Sequence, residues 1–234
     1  MQARSAHVDV SVAADLAGTG SVDLAHGAAQ FNFQRVGTQA HIDDHFDVAV
    51  AGASEWVRAT GPSGPMPGTT PAAPWLSGSA SELAAAAAAR VGPLTTLLVR
   101  PGLGTELSFL RGATKALRYG GEEVRGVGTF RYSFLVDLAA AAAASPADQR
   151  AALTAAAVAI GPVLWPADVW LDAQGRVRRL QMAENPKLHS TTTKPNLLLT
   201  EDGNYLALTN IAFFDFGTAV AVQPPKATET VPVN

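Results

Sequence analysis

The chain has 234 residues, a formal net charge of −3, 47% hydrophobic and 16% charged residues, and no cysteine. The charged fraction is well below the ~25% of ordinary soluble domains, and a slightly acidic balance without a basic cluster points away from nucleic acid. The lack of cysteine excludes disulfides, thiolate nucleophiles and cysteine-ligated metal sites; no apolar run reaches the ~18 residues of a membrane-spanning helix, and the length fits one large or two small domains.

Residues 6–12 open the pattern. Ala6, Val8, Val10 and Val12 alternate with His7, Asp9 and Ser11, the period of two that marks a strand with one buried face. The chain runs from Met1-Gln2 almost at once into this pattern, and the expectation is a chain that begins after a removed leader. Residues 15–20 supply turn residues, and 20–24 with 28–36 form a hairpin around His26-Gly27. Phe31 and Phe33 share a face there, opposite Asn32 and Gln34. Ala40, Ile42, Phe46, Val48 and Val50 continue the meander, and residues 55–59 are a short strand carrying Trp56. Strands at such short, regular spacing indicate an antiparallel meander rather than βαβ units.

Residues 61–74 hold five prolines and three glycines. Proline removes the amide donor, so this is a long surface loop. Ser79 or Ser81 then caps an alanine-rich helix over 82–90, with Glu82 in its first turn. Leu94, Leu97 and Leu98 have the spacing of a second helical segment, and Leu107, Phe109 and Leu110 suggest a third that ends at Gly112.

Residues 111–138 are the spine. Two strand-like runs, 114–119 and 122–138, meet at Gly120-Gly121, a pair that permits the positive φ of a tight hairpin. Phe130, Tyr132, Phe134 and Val136 fall on one face, Arg131, Ser133 and Asp137 on the other, with Leu135 as the exception. Gly126 and Gly128 read as a bulge or bend. Residues 139–144 are an alanine run, followed by a helix with Ser145 as cap, Pro146 in its first turn, and Leu153, Ala157 and Ile160 along one stripe. Residues 163–172 and 174–181 form a hairpin with a turn over 172–175, 184–195 is a mobile polar segment, 196–200 and 204–216 are further strands, and 224–234 is an extended or disordered tail. The sum is an α+β fold: a strongly curved antiparallel sheet with helices packed across its open concave side. Alanine-rich helices fill little space; such helices either leave a cavity over the sheet or simply pack closely.

The polar clusters offer little chemistry. His41, Asp43, Asp44 and His45 form HIDDH, whose histidines would share a face as a zinc or nickel pair only in a helix; a strand and turn split them, so a solvated turn and no metal are expected. Ser, His and Asp occur without G-x-S-x-G, and adjacent Glu122 and Glu123 point to opposite faces of a strand. Arg176, Arg178 and Arg179 make a small basic face, read as solvated exterior or as contact with anionic lipid headgroups. Trp75, Trp165 and Trp170 are core or the rim of a cavity. No cofactor is implied.

Four stretches then carry a resemblance: residues 110–132 (LRGATKALRYGGEEVRGVGTFRY), 168–179 (DVWLDAQGRVRR), 213–222 (FFDFGTAVAV) and the opening SAHVDVSV. With them the chain resembles the actinobacterial lipoproteins of the LppX/LprG type, which share the LolA/LolB-like fold. The resemblance implies an incomplete barrel covered by helices, a single domain over 1–223, a lipid or acylated ligand held without catalysis, and an exported envelope protein tethered to the outer face of the cell membrane by an N-terminal lipid. This chain lacks the modified cysteine and the helix that usually precedes the first strand, so it corresponds to the soluble part. The residues expected to line the lipid space are Leu94, Leu97, Leu98, Leu107, Leu110, Phe134, Leu153, Val158 and Ile160. The alternative is a non-enzymatic interaction or sensing module with a filled core, and an enzyme is the third reading.

Overall fold

The computed structural model describes residues 5–12, 16–23, 25–35, 44–52, 54–79, 82–83, 107–161, 164–183 and 208–233. These fall into two compact units, one built from residues 3–104 and 215–234, the other from 105–214.

In the first unit, β1 (Ser5–Val12), β2 (Leu16–Asp23), β3 (Ala28–Arg35), β4 (His45–Ala51), β5 (Ser54–Thr60) and β6 (Trp75–Gly78) pair antiparallel in sequence order. The last strand of the chain, β12 (Thr230–Pro232), lies parallel to β6. It places Pro232 at an edge, where a missing amide costs the ladder nothing. Burial follows the alternation of the sequence: Ala6, Val8, Val10 and Val12 are all buried. The sequence reading puts a turn at residues 15–20, but β2 already starts at Leu16 and runs through Gly18 and Gly20. The reason lies on β3. Gly18 pairs with Phe33 and Gly20 with Phe31, and a Cβ on Gly18 would lie 2.4 Å from Phe33 Cδ1 and 2.5 Å from the Asn32 carbonyl oxygen. The glycines leave the surface on which the two stacked rings, 5.4 Å apart, lie down.

The 61–74 loop has no regular structure, as its prolines dictate, but it is anchored. The buried Asp44 carboxylate accepts from the Ser63 amide at 3.0 Å and from the Ser63 hydroxyl. Met66 is fully buried, and the Thr69 hydroxyl closes back on the Met66 carbonyl at 2.7 Å. On the outward face of the sheet, Asn32, Asp47 and Arg58 form a cross-strand ladder. Arg58 donates to Asp47 at 2.6 and 2.9 Å, and its guanidinium lies 4.9 Å from the centre of the Trp75 ring.

The second unit holds β7 (Ala113–Val124), β8 (Val127–Asp137), β9 (Leu164–Asp172), β10 (Val177–Ala183) and β11 (Leu208–Phe214), all antiparallel in the order β11-β10-β9-β8-β7. A 3-10 turn, Phe109–Gly112, and two helices, α1 (Leu138–Ala144) and α2 (Ala147–Ile160), accompany them. The central hairpin turns later than the sequence suggests. Gly120-Gly121 lies inside β7, beside a register irregularity between Arg118 and Gly121. The turn is Arg125-Gly126, with φ of 51° and 76°, closed by the pair Val124 and Val127. Two consecutive positive φ values suit the right-handed twist of the flanking strands. Arg125 accepts the left-handed conformation with its guanidinium 3.8 Å from the centre of the Phe214 ring. Leu135 ceases to be an exception because Ser133 through Val136 are buried on both faces, where the 3-10 turn and α1 pack against β8.

The alanine run is itself a helix. Asp137 caps α1, accepting from the Ala139 and Ala140 amides at 2.9 and 3.0 Å. Ser145, expected to cap the following helix, instead donates to the Ala141 carbonyl at 2.8 Å and closes α1. Its own carbonyl accepts from Arg150 at 3.0 Å. Asp137→Ala is expected to cost about 1 kcal/mol and Asp137→Asn close to none, read as urea midpoints by circular dichroism. Equal loss in both would show that the charge rather than the cap matters.

The 82–90 helix beyond residue 83, the 94–98 segment, the 184–195 segment and the 196–200 strand lie outside the described residues. The tail contains a 3-10 turn, Ala227–Glu229, and the extended β12.

Candidate functional site

Each unit builds a continuous apolar sheet face from alternate residues. In the first unit the register stacks Val8, Gly20, Phe31, Val48, Val57 and Leu76 into one row across six strands. In the second, Phe134 pairs with Ala167, Val136 with Trp165, and Tyr132 with Val169, whose row continues through Leu180 and Ile211; of these all but Tyr132 are buried. Covering such a face contributes ~25 cal/mol per Å² removed from water, without directional bonds.

The nine residues expected to line this space are placed as follows. Phe134 lies on the apolar face of β8, and Leu153 is fully buried on α2. Leu107 and Leu110 are partly exposed around the 3-10 turn, whose buried side chain is Phe109. Val158 is 79% exposed; five residues on from Leu153 it lies about 140° round the helix and faces solvent. Ile160 is the last residue of α2. Leu94, Leu97 and Leu98 lie outside the described residues. Trp165 and Trp170 are core, and Trp75 is the partly exposed ring beneath Arg58.

The opposite face of the second unit is a polar ladder. Arg131 donates to Asp168 at 2.6 Å, Ser133 donates to the other Asp168 oxygen, and the Trp170 indole donates to Glu122 at 2.7 Å. The guanidiniums of Arg131 and Arg179 lie 5.3 and 4.8 Å from the Trp170 ring centre. Glu122 is therefore a partner of Trp170, not half of an acid–base pair. The basic face expected at 176–179 is consumed internally. Asp172, with a fully buried side chain, accepts from Arg176 and Arg178 at 2.8 Å each, while Arg179 donates to Asn210 at 3.1 Å. Burial alone would raise the Asp172 pKa; the Arg176 amide and the two guanidiniums outweigh it and hold it below the usual carboxylate range. Of the HIDDH cluster, Asp44 is the loop anchor already described, and His45 begins β4. Among the described residues no helix is long and apolar enough to cross a membrane.

Sequence reasoning missed one residue. In Glu55-Trp56-Val57-Arg58 the tryptophan looks like the inward residue, but register puts Glu55, Val57 and Ala59 on the apolar face and Trp56 and Arg58 outside. Glu55 is 8% exposed, and burial pushes its carboxyl up to about 7 from an ordinary 4.5. The signal was present in the shared parity of 55, 57 and 59. Because the folded-state pKa is the higher one, the folded chain keeps a proton that the unfolded chain releases above 4.5. This contribution to stability is complete below that pH and is lost as pH rises through 7. The expected result is a urea midpoint that falls between pH 5 and pH 8 in the native chain and falls distinctly less in Glu55→Gln.

No protein-family model and no curated protein matches the chain. Among solved structures it is similar to LprF of Mycobacterium bovis, at 14% identity and a TM-score of 0.47 over 96% of this chain and 90% of that one. It is also similar to the Mycobacterium tuberculosis lipoprotein LppX, at 18% identity and a TM-score of 0.39 over 95% of this chain and 91% of that one. A domain named for outer-membrane lipoprotein sorting, from Vibrio parahaemolyticus, aligns at 11% identity and a TM-score of 0.30 over 93% of this chain and 86% of that one.

Proposed function

We propose that this chain is the soluble part of an exported cell-envelope lipoprotein that binds or transfers lipid, holding acyl chains against its apolar sheet faces without catalysis. The observation that supports this is the composition of those faces, which the buried alternate residues of the strands other than the exposed edge strand β7 build mainly from valine, leucine, isoleucine, phenylalanine and alanine. Each CH₂ moved from water onto such a surface contributes ~0.8 kcal/mol, so chain length sets affinity and a few polar groups set orientation. In this reading the helices cross the open side of a curved sheet, and Leu94, Leu97, Leu98, Leu107, Leu110, Phe134, Leu153 and Ile160 line the enclosed space, with Val158 left at its outer surface. The native protein is held at the membrane by an N-terminal lipid. A pyrene-labelled dodecanoate titration tests it. Saturable emission that unlabelled acyl lipid displaces is expected; a linear, non-displaceable signal would contradict it.

A second reading, an envelope interaction module with a filled core, is favoured by Leu117 and Phe130, which remain 48% and 42% exposed on the β7–β8 ribbon. Under it, Leu117→Asp would abolish partner capture and leave acyl uptake absent in the native chain as well.

A further inference from the structure

β7 is the outer strand of the second unit, with β8 its one ladder neighbour among the described residues. From Leu117 to Glu123 every residue is exposed except Tyr119, which is partly so. An edge strand presents a row of amides and carbonyls that another chain can pair with, and its side chains decide which chain fits. Residues 117–124 read LRYGGEEV. Their two halves are complementary about the glycines, which is why the sequence suggests a hairpin there. In the structure both halves belong to one continuous strand, so they do not pair with each other.

The register against β8 fixes the face of each side chain. Arg118 lies opposite Tyr132 and Glu123 opposite Gly128, on one face; Leu117 lies opposite Ser133 and Val124 opposite Val127, on the other. A regular strand would put Arg118 and Glu123 on opposite faces. They share one because β7 carries an extra residue between the pairs Arg118–Tyr132 and Gly121–Phe130. With Tyr119 and Gly120 counted as a single pleat, Gly121 is the midpoint. Arg118 and Glu123 lie two pleats to either side of it, Leu117 and Val124 three.

We infer that β7 pairs antiparallel with β7 of a second copy of this chain, about a two-fold axis at Gly121. Arg118 of one protomer then faces Glu123 of its partner and Leu117 faces Val124, each pair occurring twice by symmetry. Tyr119 and Gly120 together face Glu122, and within this stretch no like charges are opposed. Arg118 lies over its own Phe130 ring, 4.0 Å from the centre; that contact uses the face of the guanidinium and leaves its N–H edge for a carboxylate. The Phe130 rings, 42% exposed and each opposite its own Gly121, flank the axis with no Cβ between them. The paired stretch stops at Val124, where the chain turns back into β8 and Arg125 is drawn onto the Phe214 ring. This pairing is independent of whether the apolar faces carry lipid or are filled.

The test is sedimentation equilibrium of the full chain from about 1 µM to 1 mM, the weak range expected of so short an interface. The native chain is expected to dimerise within it. Arg118→Glu and Glu123→Arg each oppose like charges at both symmetry-related pairs, and each should weaken dimerisation at least about tenfold. The double variant reverses both signs and should return to within about threefold of the native chain. Gly121→Cys reads the register without touching a charge. The chain has no other cysteine, and a Cβ at Gly121 meets only the Thr129 carbonyl oxygen, at 3.7 Å. On mild oxidation it should give a covalent dimer, whereas Gly128→Cys, one strand further from the axis, should not. A native chain that stays monomeric throughout would mean that its charges guard the edge against pairing, and would overturn the proposal. So would a dimer that either single swap leaves intact, one that the double swap does not restore, or a Gly121→Cys chain that stays uncrosslinked. All the substituted positions are exposed, and circular dichroism confirms that the variants fold.

Discussion

Asp168→Ala is expected to destabilise the protein by about 3–5 kcal/mol, the cost of leaving a buried charge without its partner. Asp168 has a side chain only 7% exposed and is the close acceptor of Arg131, at 2.6 Å. Glu122 lies 3.9 Å from the same guanidinium but is far more exposed and already holds the Trp170 indole. Arg131 Nε is buried with no hydrogen-bond partner even in the native chain, so without Asp168 the guanidinium keeps only the more distant, exposed Glu122 carboxylate. The loss is therefore conditional on the arginine. Arg131→Met placed in the Asp168→Ala background should recover at least half of it, because the guanidinium that lost its close partner is then gone as well. Urea denaturation of the native chain, both single variants and the double variant measures this. A loss below about 1 kcal/mol in Asp168→Ala would mean that the pair behaves as a solvated surface bridge.

Gly112→Ala is expected to cost about 3 kcal/mol, at the upper end of the range for inserting a methyl group into a packed interior. A Cβ there would lie 2.0 Å from the Asp137 carbonyl oxygen, 2.9 Å from Ala141 Cβ and 3.0 Å from the Ala141 amide nitrogen. Two of those three atoms are backbone and cannot rotate away. They belong to the cap and second turn of α1, so the substitution pushes the 3-10 turn off the helix and disturbs the Asp137 cap together. Gly120→Ala and Gly128→Ala are the controls, since a Cβ at either meets nothing within 4 Å, and both should stay within about 1 kcal/mol of the native chain. Thermal unfolding of the three variants separates the cases; equal effects at all three positions would show that backbone entropy rather than steric contact governs Gly112.

Much of the fold was legible because burial in β1, β3 and β5 follows the period of two directly. The points that were not legible share a cause: the deciding partner lies on another strand. Gly18 and Gly20 read locally as a turn, and only the Phe33 and Phe31 rings opposite make them strand residues. Gly120-Gly121 is the better turn on composition, yet Arg125-Gly126 wins because it closes Val124 on Val127 and sets the register of the remaining pairs. The arginines at 176–179 look like a basic surface until the turn places the Asp172 carboxylate among them. The burial of Phe134 and Leu153 was readable from their stripes. Val158 was drawn in by its hydrophobicity against its position on the helix, and Glu55 was passed over because Trp56 beside it is the greasier residue.

We propose that the apolar faces hold an acyl chain. Native mass spectrometry of the purified protein, before and after incubation with vesicles of mixed acyl lipids and followed by solvent extraction of the bound fraction, tests it most directly. The predicted result is a near-stoichiometric adduct whose mass matches an extracted acyl lipid. A clean apo mass under both conditions would contradict the account and shift the assignment to an interaction module.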